Sequence, residues 1–516
     1  MKKKSLFLTL CLSISILTGC SILPGSTDSP NSNVTSNNNQ SAPTKDSTNN
    51  TDKPETITVF SINDLHGALN EYPEYSELGI LKLDYAIKSD PDYNPETSVI
   101  ISAGDSWQGG YLAHEEKDIT DKLLGMMGVD AMALGNHEFD WGIDNIKTLR
   151  SKSPFPYLGC NIQNPNGKKA TDLCDSSTIV EKGGAKVGII GAMGPNEESS
   201  IASDMLANYS FSDSMKLITD EVTKLKEVNC DLIIMAVHDS VNSNSGYVAN
   251  IGNTFNNSQI QGIFGGHTHR FENQTAGSNN LPFVQGGKNG EGYAKMKFSL
   301  KTKTCLSRKY VESYAKFGDT DVSLLNAEMK DIIDSANSKH NGNDVMCTFD
   351  GEFQKEKEMY GFVTTAMLEQ AKHYGWKGSN EMIAIHNKAG IRSSIPSGEV
   401  TKEKLFKTSP FDNEVRVIKD LSGSNLSKLI GQVKDAHSSN YYAYSRENNQ
   451  MFDSSIKYDV VTIDYVSEGK YFNQYFSAST QYNFVKSTNS IEYIFDTLSG
   501  YIENSENKTF NASDYR

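Results

Sequence analysis

The chain has 516 residues, of which 37% are hydrophobic and 22% are charged, so it has the composition of a globular protein and enough length for two or more domains. Its formal net charge of −15 argues against binding to duplex nucleic acid, because such proteins usually present a basic face. An acidic protein that handles an anionic ligand needs a local source of positive charge.

The N-terminus has the pattern of an export signal. Lys2, Lys3 and Lys4 precede the apolar run SLFLTLCLSISIL, and the box LTGC follows at residues 17–20. The apolar run is short for a membrane span. The box resembles the bacterial lipoprotein signal, which implies removal of residues 1–19 and a lipid on Cys20; an ordinary secretory signal with an incidental cysteine is the alternative. We expect an exported protein anchored to a membrane of the cell envelope, on its periplasmic or cell-surface side.

Residues 20–54 are rich in Ser, Asn, Thr and Pro and contain too little apolar surface to fold, which predicts a disordered tether. Export permits disulfides. Proximity in the sequence makes Cys160–Cys174 and Cys305–Cys347 plausible pairs, whereas Cys230 precedes an apolar run and is predicted to be a buried thiol. None of these cysteines has CxxC spacing, which argues against a cysteine-based metal site.

Short apolar strands alternate with helices between residues 55 and 320. This alternation predicts a layered α/β domain with buried strands. The predicted helices include residues 118–128 and 212–229. The predicted strands are residues 56–62, 98–104, 129–135, 185–193, 230–238 and 259–267.

A polar-flanked helical segment, residues 323–340, separates two blocks of different composition. We therefore predict a connector over 321–345 between a first domain, 55–320, and a second domain, 346–516. The second block opens with a helix-like stretch at 361–375 and continues as mixed α and β, and no internal repeat is visible.

Each predicted strand in the first domain stops at a polar cluster. Since ligands in open α/β sheets bind beyond the carboxyl ends of the strands, these clusters should meet in one place. Their members, in chain order, are Asp64, His66, Asp105, Asn136, His137, Asp140, His238, His267 and His269.

These side chains offer the oxygen and imidazole donors that suit Mn, Fe, Co, Ni or Zn. Asp105 is the natural candidate to bridge two cations, which at about 3.5–4 Å apart would clamp a phosphoryl group and lower the pKa of a bound water to about 7. Such cations would also supply the positive charge that the chain lacks. Each residue taken alone could be an ordinary polar side chain or a core histidine. Five of the ten histidines, however, fall at strand ends in this block.

The order D-x-H, G-D, G-N-H-E, an isolated H and G-H-x-H resembles the calcineurin-like metallophosphoesterases. The variant GNHEFDWG, residues 135–142, resembles the bacterial 5'-nucleotidase family within them, which includes the periplasmic 5'-nucleotidase/UDP-sugar hydrolases. The resemblance implies an α/β (α+β) fold. It consists of a four-layer β-sandwich flanked by helices and a second mixed α/β substrate-binding domain joined to it by a helix.

The resemblance also implies roles for the strand-end residues. His137 matches the catalytic histidine and Asp140 its orienting partner, while Glu138 is expected to be structural. Divalent ions such as Mn, Co or Zn are the implied cofactors. The implied ligands are Asp64, His66, Asp105 and His269 for one metal, and Asp105, Asn136, His238 and His267 for the other.

In this family the C-terminal domain supplies the substrate pocket, and its anchor motif resembles HNKAGIR followed by TSPFDNEV. Asn387, Arg392 and Asn413 match that motif, and Arg392 suits a bidentate hold on phosphate or carboxylate. Phe411 and Tyr465 match the two aromatics that sandwich the base. Core packing is the alternative for both rings.

Four residues depart from the family pattern. Lys388 and Ala389 replace two glycines of the anchor loop, and Lys470 and Tyr471 replace a Gly-Asp pair whose aspartate contacts the ribose. These departures leave the base and ester preference open.

We expect an exported two-metal phosphohydrolase that releases phosphate from nucleoside 5'-monophosphates for nucleotide salvage. Nucleoside di- and triphosphates or UDP-sugars are further candidate substrates. The alternatives are a 2',3'-cyclic nucleotide phosphodiesterase or another phosphoester hydrolase, and a non-catalytic binding lipoprotein, against which the complete ligand set argues. The family's domain rotation implies a hinge near residues 323–345. The sequence does not predict an oligomeric state.

Overall fold

The structure, a computed structural model, describes residues 53–376, 378, 380–430, 433–435, 438–439, 442–446, 453–468, 481–483 and 491–516. The predicted signal, Cys20, nearly all of the tether, Lys470 and Tyr471 lie outside the described residues. Within the part of the chain that is described, no helix combines the length and the apolar character needed to span a membrane.

The first lobe, residues 53–317, contains two six-stranded sheets and a small two-stranded one. Its strands are β1 (Thr56–Ile62), β2 (Ser98–Ser102), β3 (Ala131–Ala133), β4 (Tyr157–Leu158), β5 (Ile162–Gln163), β6 (Ser177–Lys182), β7 (Ala185–Met193), β8 (Ser210–Phe211), β9 (Leu232–His238), β10 (Gly262–Gly265), β11 (Phe271–Ala276), β12 (Leu281–Gly286), β13 (Gly292–Ser299) and β14 (Thr304–Glu312). Its helices are α1 (Gly79–Lys88), α2 (Tyr111–Glu115), α3 (Ile119–Met127), α4 (Ile143–Arg150), α5 (Ser203–Leu206), α6 (Met215–Glu227), α7 (Tyr247–Thr254) and α8 (Tyr314–Phe317).

The two large sheets each have a parallel centre. The first runs in the order β14-β13-β1-β2-β3-β4, with β1 to β4 parallel. The second runs in the order β11-β12-β10-β9-β7-β6, with β7, β9, β10 and β12 parallel. All the strand ends that carry the predicted polar clusters therefore belong to parallel strands of these two sheets.

The sheets pack face to face because their strands are apolar on both sides. In β1, Ile57 and Val59 join a buried cluster shared with β9 and β10 of the other sheet, whereas Phe60 and Ile62 pack outward against α1 and α3. On the far side, α6 and α7 cover the second sheet. The result is four layers, helix–sheet–sheet–helix, and this confirms the predicted fold class.

The second lobe begins after the helix α9 (Ala327–His340), which lies within the predicted connector. Asn326 caps this helix by accepting a hydrogen bond from the backbone N–H of Met329. The strands of the second lobe are β15 (Val345–Asp350), β16 (Glu381–Asn387), β17 (Gly398–Thr401), β18 (Val415–Ser422), β19 (Val433–Asp435), β20 (Ser438–Ser439), β21 (Tyr442–Arg446), β22 (Lys457–Ile463), β23 (Gln481–Asn483) and β24 (Thr509–Asn511). Its helices are α10 (Glu358–His373), α11 (Lys402–Phe406), α12 (Gly423–Ile430), α13 (Asp464–Glu468) and α14 (Ile494–Asn504).

This lobe has its own core. A seven-stranded mixed sheet, β19-β20-β21-β16-β22-β18-β23, and a three-stranded sheet, β17-β15-β24, share one cluster of buried side chains with α10. Short 3-10 turns complete the described chain, at Pro73–Tyr75, Asn136–Phe139, Pro195–Ser200, Val322–Leu324, Lys388–Gly390 and Ala512–Tyr515.

The predicted disulfides are not formed, and both suggested pairings are wrong. All five cysteines of the described chain are free thiols. Cys305 lies on β14 of the first lobe and Cys347 on β15 of the second, and the Cys174 thiol donates to the Gly159 carbonyl at 3.5 Å. Cys230 is buried, as predicted.

Candidate active site

The strand-end residues of the first lobe converge at one place between the two sheets. The loops after β1, β2 and β3 of the first sheet carry Asp64 and His66, then Asp105, then Asn136. His238 ends β9, and His267 and His269 follow β10 of the second sheet. The residues come together because the parallel strands deliver their carboxyl ends to the same edge.

The backbone is strained where these side chains project. Asp64, His66, Asp105, His267 and His269 have φ values of 49°, 51°, 55°, 72° and 59°, in the left-handed region that non-glycine residues rarely adopt. Such conformations cost about 1–3 kcal/mol each and persist only where the surroundings impose them. Five of them in one cluster indicate a functional centre.

The first ligand group contains Asp64, His66, Asp105 and His269, whose donor atoms all lie within 4.8 Å of one another. The Nε2 atoms of His66 and His269 are 2.9 Å apart. His66 Nδ1 faces the Gln108 carbonyl at 3.0 Å and must donate to it, so its Nε2 carries a lone pair. Lone pairs and carboxylate oxygens that face one another in this way are arranged for a cation.

The second group shares Asp105 with the first and adds His238 and His267. Asn136 belongs with them, because its Oδ1 lies 3.1 Å from both His238 Nε2 and His267 Nδ1. His238 Nδ1 donates to the Ala103 carbonyl at 2.9 Å, and its Nε2 lies 3.1 Å from Asp105 Oδ2. Both predicted ligand sets are thus assembled side by side, with Asp105 between them.

Charge is distributed unevenly over this buried cluster. Burial raises the pKa of the Asp64 carboxyl to about 7. Burial is also the main reason why the pKa of His267 is lowered to about 4, and repulsion from the charge of His238 adds to it. Burial also holds the pKa values of His66 and His269 well below their ordinary range. Although burial opposes its charge, the Asp105 carboxylate raises the pKa of His238 to about 10. Three of the four histidines are therefore neutral, as cation ligands must be.

The donor set fits divalent transition-metal ions. It consists of aspartate oxygens, an amide oxygen and imidazole nitrogens, and five of the seven side chains are buried. The second nitrogens of His66 and His238 are held by backbone carbonyls, an arrangement that fixes the ring orientation of metal-ligating histidines.

His137 lies beside this cluster but in neither ligand group. Its Nδ1 is 2.6 Å from Asp140 Oδ2, and its ring centroid is 5.2 Å from that of His66. Burial works against a charged imidazole here, but Asp140 and Asp105 outweigh it and raise the pKa of His137. The geometry is that of an imidazole that a carboxylate orients and helps to protonate, beside the two ligand groups.

Glu138 ties two of the loops together. Its carboxylate accepts hydrogen bonds from the backbone N–H groups of Gly135 at 2.6 Å, Asp105 at 2.8 Å and Ser106 at 2.7 Å. It thereby fixes the loop after β2 to the turn after β3.

Two residues that support the centre were missed from the sequence. Glu197, on the 3-10 turn after β7, lies with Oε2 3.1 Å from His267 Nε2. Asn63 donates to Asp64 Oδ2 at 2.7 Å and to the Gly287 carbonyl at 2.6 Å. The signal for Glu197 was present: β7 is another predicted strand that ends at the same edge, followed by GPNEESS.

The second lobe places part of its predicted pocket against this centre. The Phe411 ring lies 5.9 Å from the His137 ring, with the Arg392 guanidinium carbon 5.8 Å from the Phe411 centroid. Arg392 interacts with the charges of Asp105, Asp140 and Asp64, yet no carboxylate in the described ranges forms an ion pair with it. The Asp140 charge also acts on the part-buried Tyr465.

The two predicted asparagines lie differently. Asn413 donates to Asp464 Oδ1 at 2.9 Å and so anchors the first turn of α13, which carries Tyr465. Asn387 Oδ1 is buried and accepts no hydrogen bond from the described residues. The oxygen faces Gly390, and a Cβ at that position would lie 2.8 Å from it. A side chain at residue 390 would therefore clash, whereas Lys388 and Ala389 stand where the family motif has its other two glycines.

Comparisons with known proteins agree with this geometry. The family model described as Calcineurin-like phosphoesterase matches residues 57–271, and that described as 5'-nucleotidase, C-terminal domain, matches residues 336–461. An apyrase of Tabanus yao is 24% identical over 427 residues, 75% of this chain and 74% of the apyrase. A 5'-nucleotidase of Bos taurus is 25% identical over 423 residues, 73% of this chain and 72% of the relative. The crystal structure of a 5'-nucleotidase precursor from Thermus thermophilus shares the fold, with a TM-score of 0.67 and 17% identity over 88% of this chain and 99% of that one.

Proposed function

We propose that this chain, which belongs to the calcineurin-like phosphoesterases that carry a 5'-nucleotidase C-terminal domain, releases phosphate from nucleoside 5'-phosphates. The protein is a metal-dependent phosphoester hydrolase of the nucleotide phosphoesterase family. The single observation that carries the reaction type is the pair of ligand groups that share Asp105, with His137 beside them and in neither.

The proposed ligands are Asp64, His66, Asp105 and His269 for one divalent ion, and Asp105, Asn136, His238 and His267 for the other. The chemistry that ions such as Mn, Co or Zn supply in such a centre is polarisation of the phosphoryl oxygens and acidification of a water molecule. Cations held there would also explain how an acidic chain attracts an anion.

His137 is the proposed catalytic acid. Its Nδ1 is held by Asp140 at 2.6 Å, so a protonated ring presents Nε2–H toward the phosphoryl group or the departing oxygen. The Asp140 carboxylate keeps the ring in this orientation and favours the imidazolium.

The second lobe supplies the proposed substrate contacts. The Arg392 guanidinium, which has five donors and no ion-pair partner in the described chain, is available for the substrate's phosphate. Phe411 is available for stacking on the base, together with Tyr465, whose helix Asn413 anchors. Asn387, with its unpaired oxygen, is the remaining proposed contact.

We also propose export with a lipid on Cys20, which the Lys-rich start and the LTGC box support. An enzyme placed outside the cell membrane would serve nucleotide salvage by delivering nucleosides and phosphate. Labelling with a radioactive fatty acid, lost in Cys20→Ala, tests the anchor.

A panel of phosphate esters tests the substrate. The Mn-loaded full chain should release phosphate from AMP with a kcat/KM at least tenfold above that for glycerol 3-phosphate, because only AMP offers a base for Phe411. Equal kcat/KM values for AMP and glycerol 3-phosphate would contradict a preference for nucleotides. Cleavage of 2',3'-cyclic AMP without release of phosphate from AMP would instead favour a 2',3'-cyclic nucleotide phosphodiesterase.

A further inference from the structure

A buried carboxylate joins the two loops of the second sheet that carry proposed metal ligands. Glu272, on β11, is 4% exposed. One of its oxygens binds the loop after β9, and the other binds the loop after β10. The first of these loops begins directly after His238, and the second carries His267 and His269.

The Oε2 atom of Glu272 holds the loop after β9. It accepts hydrogen bonds from Ser240 Oγ at 2.9 Å and from Asn242 Nδ2 at 2.9 Å. Ser240 is buried and lies two residues beyond His238. The carboxylate therefore fixes this loop immediately after a proposed ligand.

The Oε1 atom holds the loop after β10 where its backbone is strained. It accepts a hydrogen bond from Thr268 Oγ1 at 3.1 Å, and Gln285 Nε2 donates to the same hydroxyl at 3.0 Å. Thr268 stands between His267 and His269, whose φ values of 72° and 59° persist only where the surroundings impose them. The bond from Thr268 to Glu272 supplies part of that constraint.

The charge of Glu272 is unusual for its position. Its four donors among the described residues are neutral, two hydroxyl groups and two side-chain amides. A buried carboxylate without a cationic partner is costly. Cations held by the neighbouring loops would offset that cost. In the first sheet Glu138 has the same arrangement, since it joins the ligand loops after β2 and β3.

We propose that Glu272 is a positioning residue that holds ligand loops of both metal ions. This inference rests on the proposed function, since it assumes that His238, His267 and His269 ligate metal. His269 belongs to the first ligand group, and His238 and His267 belong to the second. Loss of the Glu272 carboxylate should therefore weaken the binding of both ions, whereas Glu197 contacts His267 of the second group.

Glu272→Gln tests this role through metal affinity. Because an amide presents an NH2 group to donors that the carboxylate accepts from, the affinity for Mn should fall about 10- to 100-fold at both sites. Competition with a fluorescent chelator measures both binding steps without turnover. Glu221→Gln is the matched control. Glu221 is an equally buried carboxylate on α6 that accepts from Lys169 and Ser177, and its loss should leave both affinities within about twofold.

Substitutions of Thr268 separate the hydrogen bond from folding. Thr268→Val keeps the shape of the side chain but removes the hydroxyl that donates to Glu272, so the affinity for Mn should fall about tenfold or more. Thr268→Ser keeps the hydroxyl and should stay within about threefold of the wild type. A thermal melt checks that each variant is folded. Equal affinities for the two variants would contradict the role of this hydrogen bond.

Hydrogen exchange of the metal-free full chain separates this inference from the proposed function. The backbone amides of residues 266–269 should exchange at least about tenfold faster in Glu272→Gln than in the wild type, even if the wild type bound no Mn. Absence of Mn binding by the wild type would count against the proposed function, and the exchange rates alone would then decide whether Glu272 holds these loops. Unchanged exchange, or an unchanged affinity in a protein whose wild type binds Mn, would overturn the positioning role.

Discussion

His137 is the side chain whose role can be isolated most sharply, since it touches the reacting group in the proposed mechanism but belongs to neither ligand set. His137→Ala should lower kcat for AMP about 10²–10⁴-fold, the usual contribution of a general acid, and leave the bound metal unchanged. Elemental analysis of the purified variant measures the metal content beside the rate. Loss of metal would instead make His137 a ligand.

Glu197 acts through His267 and is a positioning residue. Its carboxylate lies 3.1 Å from His267 Nε2, so Nδ1 is the nitrogen that would hold a cation. Glu197→Gln should weaken metal binding about 10- to 100-fold, as expected for losing the outer partner of a ligating histidine. Competition with a fluorescent chelator measures this without any turnover.

The neighbouring Glu198 provides the matched control for Glu197. Its carboxylate accepts a hydrogen bond from the backbone N–H of Phe211 at 2.7 Å, which directs it to β8 rather than to the ligand cluster. Glu198→Gln should leave the metal affinity unchanged. If both variants bound metal as the wild type does, Glu197 would have no part in holding His267.

At the scale of elements, the site depends on how closely the ends of β2 and β3 approach. A Cβ at Gly135, just after β3, would lie 2.2 Å from Asp105 Oδ1 and 2.5 Å from its backbone nitrogen. Gly135 has φ −104°, a value open to any residue, so the obstacle to alanine there is steric alone. Gly135→Ala should therefore displace the shared ligand Asp105 and reduce bound metal to below half of the wild-type content.

Gly128→Ala separates this effect from a general loss of stability. Gly128 ends α3 with φ 95°, and a Cβ there would meet nothing within 4 Å. The Gly128→Ala substitution should lower the free energy of unfolding by about 1 kcal/mol and leave the metal content unchanged. Equal metal contents in both variants would contradict the packing argument.

The alternation of apolar runs and polar ends was enough to predict a layered α/β domain and its ligand edge, whereas the four-layer sandwich was implied by the family resemblance. The predicted strand at 56–62 is β1, and the predicted helix at 212–229 contains α6. Other features required three-dimensional contacts. The prediction of a Cys305–Cys347 disulfide was wrong because closeness in sequence does not bring together two residues that lie on sheets of different lobes. The strand end after β7 marks the place of Glu197 in the sequence, but its pairing with a histidine 70 positions later in the chain (267 − 197) is visible only in the structure.

Across the whole molecule, ion pairs join the two lobes near the site. His114 of the first lobe lies with Nε2 2.7 Å from Asp412 Oδ1 of the second. Although burial opposes the charge, Asp412 and Glu115 raise the pKa of His114 to about 9 from an ordinary 6.5. Because the folded-state pKa is raised, the pair stabilises the protein fully below pH 6.5, and this contribution is lost as the pH rises through about 9.

Asp412→Asn tests this contact between the lobes. It should lower the unfolding free energy by about 1 kcal/mol at pH 6, a value reduced for the partial exposure of both groups, and by nothing measurable at about pH 10. Denaturant unfolding at the two pH values gives the difference. Asp334→Asn, which breaks an exposed Lys330–Asp334 pair within α9, is the control and should show no pH dependence. If Asp412→Asn lowered the free energy of unfolding equally at both pH values, the charge of His114 would not contribute to this contact.

The central claim is that the shared Asp105 centre makes the chain a metal-dependent hydrolase of nucleotides, and phosphate release from AMP tests it most directly. The full chain is dialysed against chelator and assayed before and after addition of Mn, Co or Zn. We predict no release from the metal-free protein, restored release with at least one of these metals, and none from Asp105→Asn under any of them. Absence of release from AMP with every metal, or release that is unaffected by metal removal, would contradict the account.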